Sequence, residues 1–171
     1  MVHNPKYAQL FIVNFREAYR NAKLLVTSLE RLSELMPLKN VKLDELSDDD
    51  KDKLDAFRVR YSDLQDTLGA KVFRGILILE DEQIESQLDL INKIEKRRII
   101  ESYESWKSLR DIRNVFSHEY PEGEDERREA LNEAYKTSQT LIDVINNVKK
   151  YVSDKLDIVM DEFENLRQLR R

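Results

Sequence analysis

The stretch from Trp106 to Pro121 concentrates the side chains best able to do chemistry. It reads Trp106-Lys-Ser-Leu109-Arg110-Asp111-Ile112-Arg113-Asn114-Val115-Phe116-Ser117-His118-Glu119-Tyr120-Pro121. Arg113 stands five residues before His118, the sole interior histidine, and Tyr120 follows two residues after it. An arginine and a histidine together can cleave a phosphodiester without metal. Imidazole titrates near neutrality and can take or give a proton. Guanidinium holds phosphate oxygens in a fork and offsets the negative charge that develops there. RNA brings its own nucleophile, the 2′-hydroxyl. On a straight helix five residues turn through roughly 500°, which sets Arg113 and His118 about 140° apart. Either the helix ends before His118, as Pro121 and Gly123 permit, or the working pair comes from two copies across a two-fold axis. Both together are the favoured reading.

Without its neighbours, a histidine near a helix end is more often a C-terminal cap that meets the helix dipole. A tyrosine such as Tyr120 is ordinarily a half-buried amphipathic residue. Trp106 reads as core, and Arg110 as a support or phosphate contact paired with Asp111 or Glu104.

The flanking residues shift that balance. The string Leu109-Arg110-x-x-Arg113-Asn114-x-x-x-His118-x-Tyr120-Pro121 resembles the HEPN family, and with Tyr120 it is similar to the HepT-type toxins and their Arg-x4-His-x-Tyr motif. The stretches Leu64–Arg74 and Leu88–Lys96, with Trp106, are also similar to HepT-like relatives, so the resemblance covers about residues 57–121. It implies an HEPN-like helical bundle acting as a homodimer, a metal-independent endoribonuclease in which two motifs meet at the interface. Arg113 and His118 match the catalytic pair. Asn114 and Ser117 fall at variable polar positions and join Arg110 as supporting, RNA-binding candidates. Tyr120 matches the tyrosine to which a minimal nucleotidyltransferase, the cognate antitoxin, adds AMP. The chain is longer than many HepT-like proteins, and the motif does not account for an extended final helix.

The elements that must position these residues are helical. Only three glycines and three prolines occur in 171 residues, too few turn residues for a many-stranded sandwich or barrel, so the fold class is all-α and the length suits one domain. Helix 1 is expected from Pro5 to Met36, with Phe11, Phe15, Ala18, Ala22, Leu25, Leu29, Leu32 and Met36 on one stripe. Ser47 reads as the N-cap of a second helix whose first turn carries Asp48, Asp49 and Asp50 and whose core face is Leu54, Phe57, Tyr61, Leu64 and Leu68. Those aspartates lack the glycine and ligand spacing of a calcium loop. Gly69 and Gly75 allow a bend. A third helix over Asp81–Arg97 should turn Ile84, Leu88, Ile91 and Ile94 inward. A break at Ile99–Ser102 then precedes a shorter helix through Trp106, Leu109 and Ile112, capped by Ser102. The last helix, from Asp125 to Leu169, would run over roughly 60 Å, so part of it should project, bend or pair with another chain. The expectation is an antiparallel bundle of four to five helices in a single domain, residues 1–171, whose last ~20 residues form a projecting helix or tail.

Composition narrows the chemistry. With no cysteine, disulfides, thiol nucleophiles and Cys-based zinc sites are excluded, and two distant histidines make a poor metal site, so no cofactor or metal is expected. Apolar runs such as Ile76–Leu79 are far short of the ~20 residues of a membrane span, and no signal-peptide pattern is read at the start. A cytoplasmic protein is the expectation. The formal charge of −5 argues against broad nucleic-acid binding. Yet Lys93–Arg113 carries seven basic residues against four acidic ones, a local +3 that leaves −8 for the remainder. RNA contact would therefore be confined to one seam, with a steep salt dependence. Two rival readings stand beside the nuclease: a non-catalytic binding module that partners a nucleotidyltransferase, and a helical oligomerisation scaffold.

Overall fold

Pro5 occupies the first turn of α1 (Pro5–Leu32), and the Asn4 side chain caps it by accepting from the Lys6 N–H at 3.0 Å. Proline's missing donor is harmless there and its fixed φ suits a helix start. The computed structural model describes residues 3–117 and 120–167. The buried face of α1 is the expected stripe from Phe11 to Leu32, but the helix stops four residues before Met36. Met36 still reaches the core from the connector, beside a cis peptide bond to Pro37.

α2 (Asp48–Thr67) begins where Ser47 accepts from the Asp50 N–H at 3.1 Å. It runs through one wide π-turn (Leu68–Val72) directly into α3 (Phe73–Leu79), so the bend expected near the glycines is a π-bulge, not a break. Asp81 takes a left-handed φ of 59° and closes α3, and the Glu82 N–H turns back to the Leu77 carbonyl. This turn delays α4 (Gln87–Lys96), which starts six residues later than Asp81 and is capped by Ser86. Its inner face is Leu90, Ile91 and Ile94. Leu88, expected inside, is 53% exposed, because a helix of ten residues centred on Leu90 and Ile94 carries Leu88 to its flank. The expected break follows: Arg98 has a φ of 58°, Ile99 and Ile100 are buried, and Ser102 accepts from the Ser105 N–H to open α5 (Tyr103–Ser117).

α6 spans Glu124–Leu156, about 50 Å at 1.5 Å per residue. The helix expected to Leu169 ends thirteen residues earlier, since Asp157 adopts a left-handed φ of 53° and reverses the chain. Residues 157–167 fold back along the bundle and do not project. Phe163 stands edge-on to Phe15 and Tyr19, at 4.8 and 5.2 Å between centroids, and the Asn146 amide brackets Leu166 by donating to its carbonyl and accepting its N–H.

Side-chain pairings set the helix directions. Arg60 reaches Ser28 and Lys71 reaches Glu17, so α1 opposes the α2–α3 rod; Phe57–Tyr135 and Tyr61–Thr137 lay α6 parallel to that rod. Asp66–Arg113 and Tyr61–Phe116 set α5 against it. The result is an all-helical bundle, with no strand among the described residues and no helix long and apolar enough to cross a membrane. At its centre Tyr61 is fully buried, and burial pushes its hydroxyl pKa up while Thr137 hydrogen-bonds it.

Candidate functional site

α5 is pinned to the bundle by Trp106, Leu109 and Phe116. The ring of Trp106 lies 4.7 Å from that of Phe73, and a Cβ placed on Gly69 would meet it at 3.5 Å. With that face inward, Arg110, Arg113, Asn114 and Ser117, spaced three and four apart, line up along the side of the helix that looks past α2. They are not equivalent. Arg110 and Ser117 are exposed, whereas Arg113 and Asn114 are half-buried.

Arg113 is held. Its Nη2 donates to Asp66 Oδ2 at 2.7 Å and its Nη1 to Asn114 Oδ1 at 3.4 Å, while its buried Nε has no partner among the described residues. Arg110 makes no ion pair among the described residues; Asp111, one of the partners expected for it, pairs with Lys107 at 3.1 Å. A cleft of about 310 Å³ opens between α5 and the π-turn, with Gln65, Asp66 and Gly69 on one wall and Trp106, Arg110 and Arg113 on the other. A smaller recess of about 160 Å³ adjoins it through Gln87, Trp106 and Arg110.

Carboxylates shape the electrostatics. Burial, then Asp66 and Glu17, push the Asp63 carboxyl above its ordinary range, with Arg113 pulling the other way. The basic seam is also largely neutralised within the chain: Lys93 pairs with Asp89 and Glu82, Arg97 with Glu80 and Glu82, Lys107 with Asp111, and Arg113 with Asp66. Lys96, Arg98 and Arg110 are the members of the +3 stretch without an ion pair among the described residues.

Tyr120 lies outside the cleft lining. Its ring sits edge-on to Phe116 at 6.2 Å, with the Arg58 Cζ 3.8 Å and the Arg127 Cζ 5.2 Å from its centroid. Its hydroxyl makes no hydrogen bond among the described residues. His118 and Glu119 lie outside the described residues. The structure thus brings Arg110, Arg113 and Asn114 together at one cleft, leaves Ser117 at the end of the same helical face, and sets Tyr120 in a separate cationic pocket.

Sequence reasoning gave no role to Asp66, Asp63 or Gln65. The readable signal was the spacing of Asp63 and Asp66, two carboxylates one helical turn apart on a helix that pairs with the arginine-bearing one. Compared with known proteins, the chain matches no family model, no curated protein and no solved structure.

Proposed function

We propose that the protein is a metal-independent endoribonuclease of the HEPN type, the toxin of a pair whose antitoxin is a minimal nucleotidyltransferase, working as a cytoplasmic homodimer. The observation that carries the reading is the α5 face, where Arg113 and Arg110 reach an open polar cleft beside the Asn114 amide. Arg113 binds the scissile phosphate, which competes with Asp66 for the guanidinium. His118 takes the proton from the 2′-hydroxyl as that oxygen attacks phosphorus. The 5′-oxygen leaves with a proton from the histidine of the second copy, so the products are a 2′,3′-cyclic phosphate and a 5′-hydroxyl. Ser117 and Asn114 steady the phosphate from the end of the same helix.

Tyr120 is the proposed acceptor of AMP. Its hydroxyl is free of intramolecular partners among the described residues, and Arg58 and Arg127 beside its ring would offset the negative charge of an added phosphodiester. A second reading, a non-catalytic module that binds the nucleotidyltransferase, draws on the Arg113–Asp66 ion pair, which occupies the proposed phosphate anchor. RNA cleavage in EDTA separates the two. The nuclease reading expects cleavage by the wild type and none by Arg113→Ala and His118→Ala variants that keep their helical spectrum; cleavage that persists in those variants, or that needs a divalent cation, overturns it.

A further inference from the structure

Two arginines flank Tyr120 with their terminal nitrogens unused. We propose that Arg58 and Arg127 form a second phosphate contact, which holds the RNA backbone beyond the end of α5 while Arg113 holds the scissile phosphate. The proposal rests on the ribonuclease reading for the identity of the strand.

Packing fixes both guanidiniums. The Arg58 Cζ lies 3.8 Å from the Tyr120 ring centroid and the Arg127 Cζ 5.2 Å from it. Arg58 Nε is buried without a hydrogen-bond partner, with the Asp55 carboxylate 4.0 Å away, beyond hydrogen-bond reach. Arg127 Nε donates to the Pro121 carbonyl. The terminal nitrogens of both arginines make no hydrogen bond to a described residue, and none of them is buried. A guanidinium laid against a ring keeps its in-plane N–H donors free, and they match the oxygens of a phosphate. Held this way, the side chains have little rotamer freedom left to lose on binding. The Tyr120 hydroxyl, also without a partner, adds a neutral donor beside them.

Position points to a strand and not to a free anion. Arg58 precedes Asp66, the carboxylate that holds Arg113, by eight residues of α2, about 12 Å along the helix. The end of α5, with Ser117 exposed, lies between the two places. Cationic sites repeated along one α2–α5 seam suit a polyanion, whereas a single phosphate ion could fill only one of them. The acidic start of α6 is partly engaged elsewhere: Asp125 pairs with Arg128, and Glu124 accepts from the Asp44 N–H at 3.4 Å. A contact made through backbone phosphate carries no base preference.

The test uses the full-length protein and 2′-O-methyl oligoribonucleotides, a fluorescein-labelled trimer and octamer that lack the nucleophile. Anisotropy is followed from about 50 to about 200 mM KCl. In the wild type the octamer should bind more tightly than the trimer and with a steeper salt slope. Arg58→Gln and Arg127→Gln should each lower the octamer's slope by about 0.7, the value of one single-strand phosphate. Each should weaken binding about fivefold, equally for oligo(A) and oligo(U). Arg58→Lys keeps the charge and should keep the slope, a rescue that a packing defect would not show. Should Arg58→Gln lose its helical spectrum, Arg127→Gln carries the test. No octamer binding, a slope unchanged in both glutamine variants, or a slope lost equally in Arg58→Lys overturns the proposal. A trimer that binds as tightly as the octamer, or displacement of the octamer by micromolar inorganic phosphate at constant ionic strength, overturns it in favour of a free-anion site. RNA cleavage with both slopes unchanged would sink this contact alone, and slope losses in a protein that cuts no RNA would sink the nuclease alone.

Discussion

Arg113 Nη2 lies 2.7 Å from Asp66 Oδ2, so the arginine proposed to anchor phosphate is tied to α2 by a carboxylate. The pair fixes the guanidinium beside the cleft, and it also sets a competitor there. Asp66→Asn keeps a hydrogen-bond acceptor and removes the competing charge. Its expected effect is tighter RNA binding by several-fold, measured by fluorescence anisotropy at two salt concentrations. The stability change should stay within ~1 kcal/mol, because Asp66 is 47% exposed at its side chain and solvent screens the pair.

Tyr120 is predicted to separate its packing from its chemistry. Tyr120→Phe keeps the ring between Arg58 and Arg127 and should leave stability unchanged, while an AMP adduct formed with a nucleotidyltransferase partner and ATP disappears from the mass spectrum. Tyr120→Ala removes the cation–π contact, 3.8 Å from the Arg58 Cζ to the ring centroid, and should lower stability by about 1 kcal/mol in urea unfolding.

The reversed C-terminal segment is predicted to be structural. Phe163 is 3% exposed and packs edge-on against Phe15 at 4.8 Å. Phe163→Ala leaves a cavity against α1 and should cost about 3 kcal/mol, read as a lower urea midpoint with an unchanged slope.

How far these features were legible in the sequence follows from the range of the interactions that cause them. The stripe from Phe11 to Leu32 and the caps at Ser47 and Ser102 are local, and periodicity and hydroxyl placement reveal them. The end of α6 was not legible. Val159, Phe163 and Leu166 continue the helical spacing, yet Val159 is 75% exposed and Met160 is buried, because Asp157 reverses the chain and packing on Phe15 and Tyr19 replaces the helical register. Asp66 was hidden for a related reason: its role depends on α2 and α5 running in opposite directions 47 residues apart in sequence. Arg110, Arg113 and Asn114 could be placed together because a single helix carries them.

Asp63 gives the site a pH signature. Its carboxyl is raised first by burial and then by Asp66 and Glu17. A carboxyl raised in the folded state stabilises the fold below its unfolded value, near 3.9, and loses that contribution as pH rises through the folded value. Asp63→Asn should therefore melt ~1–2 °C above wild type at pH 7, with the difference gone by about pH 3, a small effect in keeping with a largely exposed side chain.

The central claim is that RNA is cut by its own 2′-hydroxyl under the control of Arg113 and His118. The most direct measurement is mass spectrometry of the products from a short oligoribonucleotide cut in EDTA, beside the same strand with one 2′-deoxy residue at the cleaved position. The account predicts a 2′,3′-cyclic phosphate and a 5′-hydroxyl from the first strand and no cut at that position in the second. A 5′-phosphate product, or cleavage of the deoxy-substituted bond, would contradict it.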